Sequence, residues 1–333
     1  MAFQVSKVSA RVCVWSRSFH AGFKAQSCSG VSRKADRFEK LSTAAMCVPR
    51  PGYAAVKGLR VVLCAAGVSA AACAALSTSA STLYAMSARP ELNLESDRSD
   101  WKQTKTKLCS MDKQRRRELY RVDFIPLEDV PVWSPSGDSS YKPRYEVNEE
   151  LNMKVSLFGG DITKLEIDAV ANAANKTLLG GGGVDGAIHR GAGPLLRKEC
   201  ATLNGCETGE AKITGAYGLP ARYVIHTVGP IVHDSVGERE EEALRNCYYN
   251  CLHTATKHHL RTVAFPCIST GVYGYPPDQA VEVALRTVRE YLEQNPEKLD
   301  RVIFCVFLKS DKQLYENLLP AYFPQGSPPK SKL

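Results

Sequence analysis

The chain has 333 residues, 23% of them charged and 44% hydrophobic, and a formal net charge of +8. That length suits one large domain or two small ones. The basic excess is local, because residues 1–90 carry twelve Lys/Arg against two acids, leaving a net of −2 for the rest, so the charge is no argument for a nucleic-acid-binding domain.

The first 35 residues contain no acid and are rich in Ser, Arg and Lys. Wound as a helix, they place Val8, Val12, Trp15, Phe19 and Phe23 on one face and Lys7, Arg11, Arg17 and Lys24 opposite. That is the pattern of a mitochondrial transit peptide, and mitochondrial import is expected. Val61 to Leu76 is apolar but Ala-rich, and its sixteen residues fall short of a comfortable membrane span. The chain ends Ser331-Lys332-Leu333, a rival peroxisomal address, with cytosol or nucleus the remaining alternatives.

Residues 1–95 therefore read as targeting leader and linker. From Ser99 to Arg121 the pattern is helical and highly charged, with Ser99 as the expected N-cap. Residues 126–148 contain Pro126, Pro131, Pro135 and Pro143, the mark of a linker or of a strap lying over a domain. Residues 96–150 form a helical and Pro-rich extension, 151–325 the main domain, and 326–333 a flexible tail.

After residue 150 strands and helices alternate. Strands are predicted at 153–158, 167–172, 211–216, 223–228, 262–267 and 301–308, and helices at 184–203, 238–259, 277–294 and 311–319. Runs such as Thr262–Cys267 and Val302–Leu308 are apolar almost throughout, as in strands covered on both faces. The expected architecture is α/β, with helices on both sides of a mostly parallel sheet. Twelve cysteines include no Cys-x-x-Cys pair, so they read as reduced, buried thiols in a reducing compartment rather than as a disulfide or metal framework.

The chemistry concentrates in two loops. Residues 172–175 read Asn-Ala-Ala-Asn, and 180–186 read Gly-Gly-Gly-Gly-Val-Asp-Gly. Each glycine costs backbone entropy, and the return is a backbone that a ligand can approach and that offers N–H groups to anions. Gly181, Gly183 and Gly186 match a dinucleotide fingerprint by letter, but the loop does not directly follow a first strand, and no Walker lysine follows. A second loop, Ser269, Thr270, Gly271, Val272, Tyr273 and Gly274, follows an apolar strand and suits a pyrophosphate. Asp185 can bond a ribose hydroxyl or polarise a water, and His189 at i+4 shares its helical face. Asn172 and Asn175 must find partners at the end of a buried strand, or serve as turn formers. Asp161 reads as a helix N-cap, a ligand for an amine, or both. His226 inside Val-Ile-His-Thr-Val and Phe307 late in the last strand read as core.

These residues also carry a family resemblance. Gly160–Thr163, Asn172–Asn175, Gly180–Gly186, Ile188–Arg190, His226–Pro230 and Phe265–Gly271 resemble the corresponding runs of macrodomains of the MacroD type. The resemblance spans about half the chain, from Val155 to Phe323, and one departure is Ala171, where close relatives carry a branched aliphatic. It implies a three-layer α/β/α fold with a mixed six-stranded sheet and an ADP-ribose pocket. It also implies hydrolysis of ADP-ribosyl esters on the acidic side chains of ADP-ribosylated proteins, and of O-acetyl-ADP-ribose.

The resemblance assigns Asp161 to the adenine amine, Asn175 to the distal ribose, and an aromatic near Phe307 to adenine. With Asp185, Asn175 and His189 as the catalytic set, the substrate-binding set is Asp161, Ile162, Asn172, Ala174, Gly180, Gly181, Gly182, Gly183, Val184, the second loop Ser269–Gly274, and Phe307. No metal or other cofactor and a monomeric state are expected. A reader that binds ADP-ribose without cleaving it is the alternative. A nicotinamide-dinucleotide oxidoreductase is a third reading.

Overall fold

The computed structural model describes residues 92–96, 98–134 and 142–326. All of them lie in the second of the chain's two units, Ala71–Leu333; the first, Met1–Ala70, is outside the described residues. The expected leader, the 61–76 run and the Ser-Lys-Leu end also lie outside them.

Six strands form one sheet: β2 (Val155–Gly159), β4 (Ala169–Ala173), β5 (Ala211–Gly215), β6 (Tyr223–Thr227), β7 (Thr262–Phe265) and β8 (Arg301–Val306). Their spatial order is β2-β8-β7-β4-β6-β5, every pair parallel except β5 with β6. A short parallel pair, β1 (Ile125–Pro126) with β3 (Leu165–Glu166), stands apart.

The period-2 alternation of strand side chains sorts the core into two layers. Ala171, Ile225, Phe265 and Phe304 pack with α6 (Glu238–Lys257), α7 (Pro277–Gln294) and α8 (Lys309–Tyr322). Val170, Val224, Ala264 and Ile303 pack on the other face with α4 (Gly183–Ala192), α5 (Pro194–Ala201) and α1 (Trp101–Ser110). The result is a three-layer α/β/α domain with a mixed, mostly parallel six-stranded sheet. Its central strands are apolar throughout because helices cover both faces.

Three sequence expectations change. The helix predicted over 184–203 is two helices, because Gly193 adopts φ 87° and Pro194 opens the next one. The helix predicted from Ser99 breaks at Met111–Asp112. Its N-cap is Asp100, and Asp112 caps α2 (Lys113–Arg117) by accepting from the Arg115 N–H at 2.9 Å. The last strand ends at Val306, not at 308.

The extension packs as part of the domain. Leu108 and Val130 join one core layer and Trp133 the other, with the Trp133 N–H donating to the Val155 carbonyl at 2.7 Å. Around Trp133, on one side of 135–141, and around Arg144, whose N–H bonds the Ala321 carbonyl, the Pro-rich stretch is a strap. Two buried carboxylates dock the helices. Glu199 in α5 accepts from Lys105 Nζ at 2.6 Å, the Gly215 N–H at 2.9 Å and the Tyr217 hydroxyl at 2.7 Å. Glu166 takes a bidentate pair from Arg117 at 2.8 and 2.6 Å and a bond from Tyr120 at 3.0 Å. Burial alone would raise the Glu166 carboxyl, but the bonds from Arg117, Lys113 and Tyr120 outweigh it and hold it below the usual range.

Candidate active site

Five parallel strands point their carboxyl ends to one edge of the sheet. The chain leaves β4 toward β6 and β7 toward β8, so neighbouring strands send their connections in opposite directions and a crevice opens between them. Asp161 follows β2, the first glycine loop follows β4, the second loop follows β7, and Phe307 follows β8. The topology therefore gathers the predicted site residues at one rim.

The first loop is held by its own backbone and by Asn175. Gly180 and Gly183 take φ of 91° and 57°, the left-handed region that other residues rarely enter. Asn175 Nδ2 donates to the Gly180 carbonyl at 3.0 Å, and its Oδ1 accepts from the Thr177 N–H at 2.9 Å and hydroxyl at 2.6 Å. A methyl group on Gly186 would stand 2.5 Å from the Gly181 carbonyl oxygen, so only glycine lets the loop lie on α4 there. Gly182 is the N-cap of α4 and offers no side chain, which leaves the first N–H groups of the helix facing the loop.

Asp185 lies in the first turn of α4 and is only 3% exposed. Its Oδ1 accepts from Asn172 Nδ2 at 2.8 Å. Its Oδ2 is buried with no hydrogen-bond partner. A methyl on Gly181 would meet that Oδ2 at 3.0 Å and Asn175 Nδ2 at 3.1 Å, so both side chains lie directly against the loop. His189, one turn on, brings Nε2 to 3.4 Å from Asp185 Oδ1 without making a hydrogen bond. Burial lowers the His189 pKa; the Asp185 charge opposes this and Arg197 adds to it, so the imidazole is neutral and the contact is not an ion pair. Arg121 from the extension donates to the Arg190 carbonyl at 3.0 Å, fixing the far end of α4.

Asn172 is fully buried, and its amide is spent on Asp185 and on His226 Nδ1 at 3.0 Å. It faces the interior, not the cleft, contrary to its expected place among the substrate contacts. Ala174 and Ile162 likewise bury their side chains in the core. Val184 is half-buried in the first turn of α4. Asp161 caps the 3-10 turn Ile162–Lys164, its Oδ1 accepting from the Thr163 N–H at 2.9 Å and hydroxyl at 2.7 Å. Phe307 is 83% exposed just beyond β8, which overturns its default reading as core.

The second loop is strained where it turns. Ser269 has φ 67°, and its hydroxyl is buried without a partner; Gly274 has φ 70°. The Gly274 N–H bonds the Gly271 carbonyl at 3.0 Å, and the Tyr273 carbonyl accepts from the Val232 N–H at 2.8 Å. Thr270 bonds back to the Cys267 carbonyl at 3.3 Å. Val272 is 99% exposed at the tip, and Tyr273 is half-buried beside it.

Sequence reasoning missed two features. Gly229 lies against the second loop, where a Cβ would overlap the Ser269 hydroxyl; the Thr-Val-Gly-Pro run was its only signal. The fold also gathers His189, Cys200 and His226, with one potential ligand atom each within 4.8 Å of one another. Their separations in sequence hide this. The set is not an open metal site. His226 Nε2 is already engaged with the Thr214 hydroxyl at 2.8 Å, and burial pushes the Cys200 thiol up to about 12. Among the described residues every cysteine is free, and no helix is long and apolar enough to cross a membrane.

Comparison with known proteins places this geometry. The family model described as Macro domain matches residues 171–284. The chain is 52% identical over 245 residues to ADP-ribose glycohydrolase MACROD1 of Rattus norvegicus, covering 72% of this chain and 94% of that protein. It is 47% identical over 230 residues to ADP-ribose glycohydrolase MACROD2 of Homo sapiens, covering 67% of this chain and 54% of that protein. The Trypanosoma brucei macrodomain in complex with ADP-ribose superposes with a TM-score of 0.52 at 36% identity, over 68% of this chain and 97% of that one. The macro domain of ganglioside induced differentiation associated protein 2 gives a TM-score of 0.58 at 35% identity, over 62% of this chain and all of that one.

Proposed function

The chain belongs to the macro domain family, and from that premise we propose that it is a hydrolase that removes mono-ADP-ribose from acidic side chains of ADP-ribosylated proteins. O-acetyl-ADP-ribose offers an ester of the same class and is a second substrate. The observation that carries the reading is Asp185 Oδ2, a buried carboxylate oxygen without a partner, set against the glycine loop. That oxygen is free to take a proton from a water, whereas a binding-only pocket would spend it on a ribose hydroxyl, and the release assay below separates the two.

The chemistry follows from the parts. The loop backbone and the start of α4 hold the pyrophosphate, and that remote binding energy orients the distal ribose. Asp161 and Phe307 stand at the strand ends that would meet adenine. Asn175 shapes the loop beside the ribose. Asp185 Oδ2 accepts a proton from a water whose oxygen attacks the anomeric carbon. The bond from that carbon to the ester oxygen breaks, and the protein carboxylate leaves. The deciding experiment is release of ADP-ribose from a protein modified on glutamate. Tight binding of ADP-ribose with no release would leave the reader alternative.

Turnover is expected to survive a chelator unchanged, because the loop and carboxylate need no Lewis acid. Activity lost to chelation and restored by a divalent ion would contradict this.

The leader sequence supports a mitochondrial location: wound as a helix it would set basic residues opposite apolar ones, and it carries no acid before Asp36. An N-terminal signal also emerges first, ahead of the Ser-Lys-Leu end. Imaging of an internally tagged chain should show mitochondria, and deletion of residues 1–35 should disperse the signal. Peroxisomal signal that vanishes on removing Leu333 would reverse the ranking.

A further inference from the structure

Three polar side chains lie in line beneath α4, and the mechanism above uses none of them directly. Thr214 of β5, His226 of β6 and Asn172 of β4 are each fully buried. Asn172 and His226 are direct partners in the β4–β6 pairing, and both sit on the even-numbered face that packs under α4. Chained polar groups in a dry interior are costly unless their donors and acceptors agree.

They agree in only one way. A carboxylate oxygen accepts, so Asn172 presents its amide nitrogen to Asp185 Oδ1, at 2.8 Å. The second hydrogen of that nitrogen faces His226 Nδ1 at 3.0 Å, which must therefore be the unprotonated ring nitrogen. Burial, reinforced by His189, lowers the His226 pKa to about 3, so the ring is neutral and its proton is on Nε2. Nε2 stands 2.8 Å from Thr214 Oγ1, the acceptor that this tautomer requires, with Cys200 Sγ farther away at 3.6 Å. Turning the Asn172 amide would set its oxygen against Asp185 Oδ1. The Asn172 oxygen itself is buried without a partner, so the arrangement spends both amide hydrogens at the expense of that atom.

We propose that Thr214 and His226 are positioning residues for the reaction: Thr214 takes the His226 Nε2 proton and seats the ring, the ring's Nδ1 takes the second Asn172 amide hydrogen, and Asn172 so held keeps Asp185 with Oδ2 toward the glycine loop. The inference rests on the hydrolase reading for its kinetic consequence, and on the hydrogen-bond geometry alone for its tautomer.

Two measurements test it on the full chain. In the wild type, nitrogen NMR should show His226 neutral and protonated at Nε2. Thr214→Val keeps the shape and removes the acceptor. It should leave the Nε2 proton without its acceptor, loosen the ring, and lower kcat about fivefold or more, the scale of one buried hydrogen bond. KM and the affinity for free ADP-ribose should stay within about twofold, because the loops that grip the ligand are untouched. Thr214→Ser restores the acceptor and should return kcat to near the wild-type value. His226→Phe should fall further than Thr214→Val, and the threonine pair decides the matter if that variant misfolds. A wild-type ring protonated at Nδ1 overturns the proposal. So does full kcat in Thr214→Val, or a Thr214→Ser variant as slow as Thr214→Val. If the wild type shows the expected tautomer but no hydrolysis, the functional reading fails while the geometry stands.

Discussion

Asp185→Ala and Asn175→Ala are each expected to slow release of ADP-ribose by at least about tenfold, the scale of losing 1.4 kcal/mol of transition-state stabilisation. The two act differently. Asp185 supplies the unpartnered Oδ2 beside Gly181, and a general base is worth typically about 10²–10⁴ in rate, so its loss should be the larger. Asn175 makes no such offer. Its amide ties the Gly180 carbonyl to Thr177, and without it the loop relaxes from the shape that grips the ribose. Asn175→Ala should therefore raise KM as well as lower kcat, whereas Asp185→Ala should act mainly on kcat. Asp185→Asn is the matched control, because its side-chain oxygen can still accept from Asn172 while its charge is gone. Single-turnover assays beside calorimetric ADP-ribose binding separate the effects. Full turnover in both alanine variants would end the catalytic assignment.

Much of this site was legible because its signals are local. Four successive glycines ask for a ligand near the backbone, and apolar strands covered on both faces ask for a three-layer fold. Both readings need only neighbours in sequence. What the chain hid depends on register. A lone histidine in Val-Ile-His-Thr-Val looks like any satisfied core histidine, and His226 is one. Its link to Asp185 appears only when β4 pairs with β6 and sets Asn172 opposite it. The same pairing turns the Asn172 side chain inward, where periodicity had offered no choice between cleft and core. The default reading of Phe307 as core failed for the opposite reason, while its place among the substrate contacts was left to the resemblance. An apolar run continued past Val306, but the strand stopped there and left the ring in the open. The docking of the extension was also hidden, since the partners of Glu166 and Glu199 come from residues 105–120, far away in sequence.

Glu199→Ala should be the most destabilising single change in that docking. Glu199 is 3% exposed and satisfies three donors from two segments, α1 and the end of β5. Without it, the Gly215 N–H and the Tyr217 hydroxyl are left in the interior, each at a cost of about 1–3 kcal/mol. Lys105 suffers less, because its side chain is 28% exposed and its ammonium can turn to water. Removing one partner of a buried pair costs about 3–5 kcal/mol in general, which agrees with that count. At about 2–4 °C per kcal/mol for a domain of this size, the thermal midpoint should drop by about 10 °C. Glu207→Ala is the contrast, because its pair with Lys176 at 2.8 Å lies on the surface with both side chains more than half exposed, and no measurable shift is expected. Hydrogen exchange should locate the damage in Trp101–Ser110, which loses its anchor to α5. If the midpoint of Glu199→Ala stays within about 2 °C of wild type, less than about 1 kcal/mol is at stake. The buried carboxylate would then be a passive neighbour of α1, and the extension would be held by its apolar contacts alone.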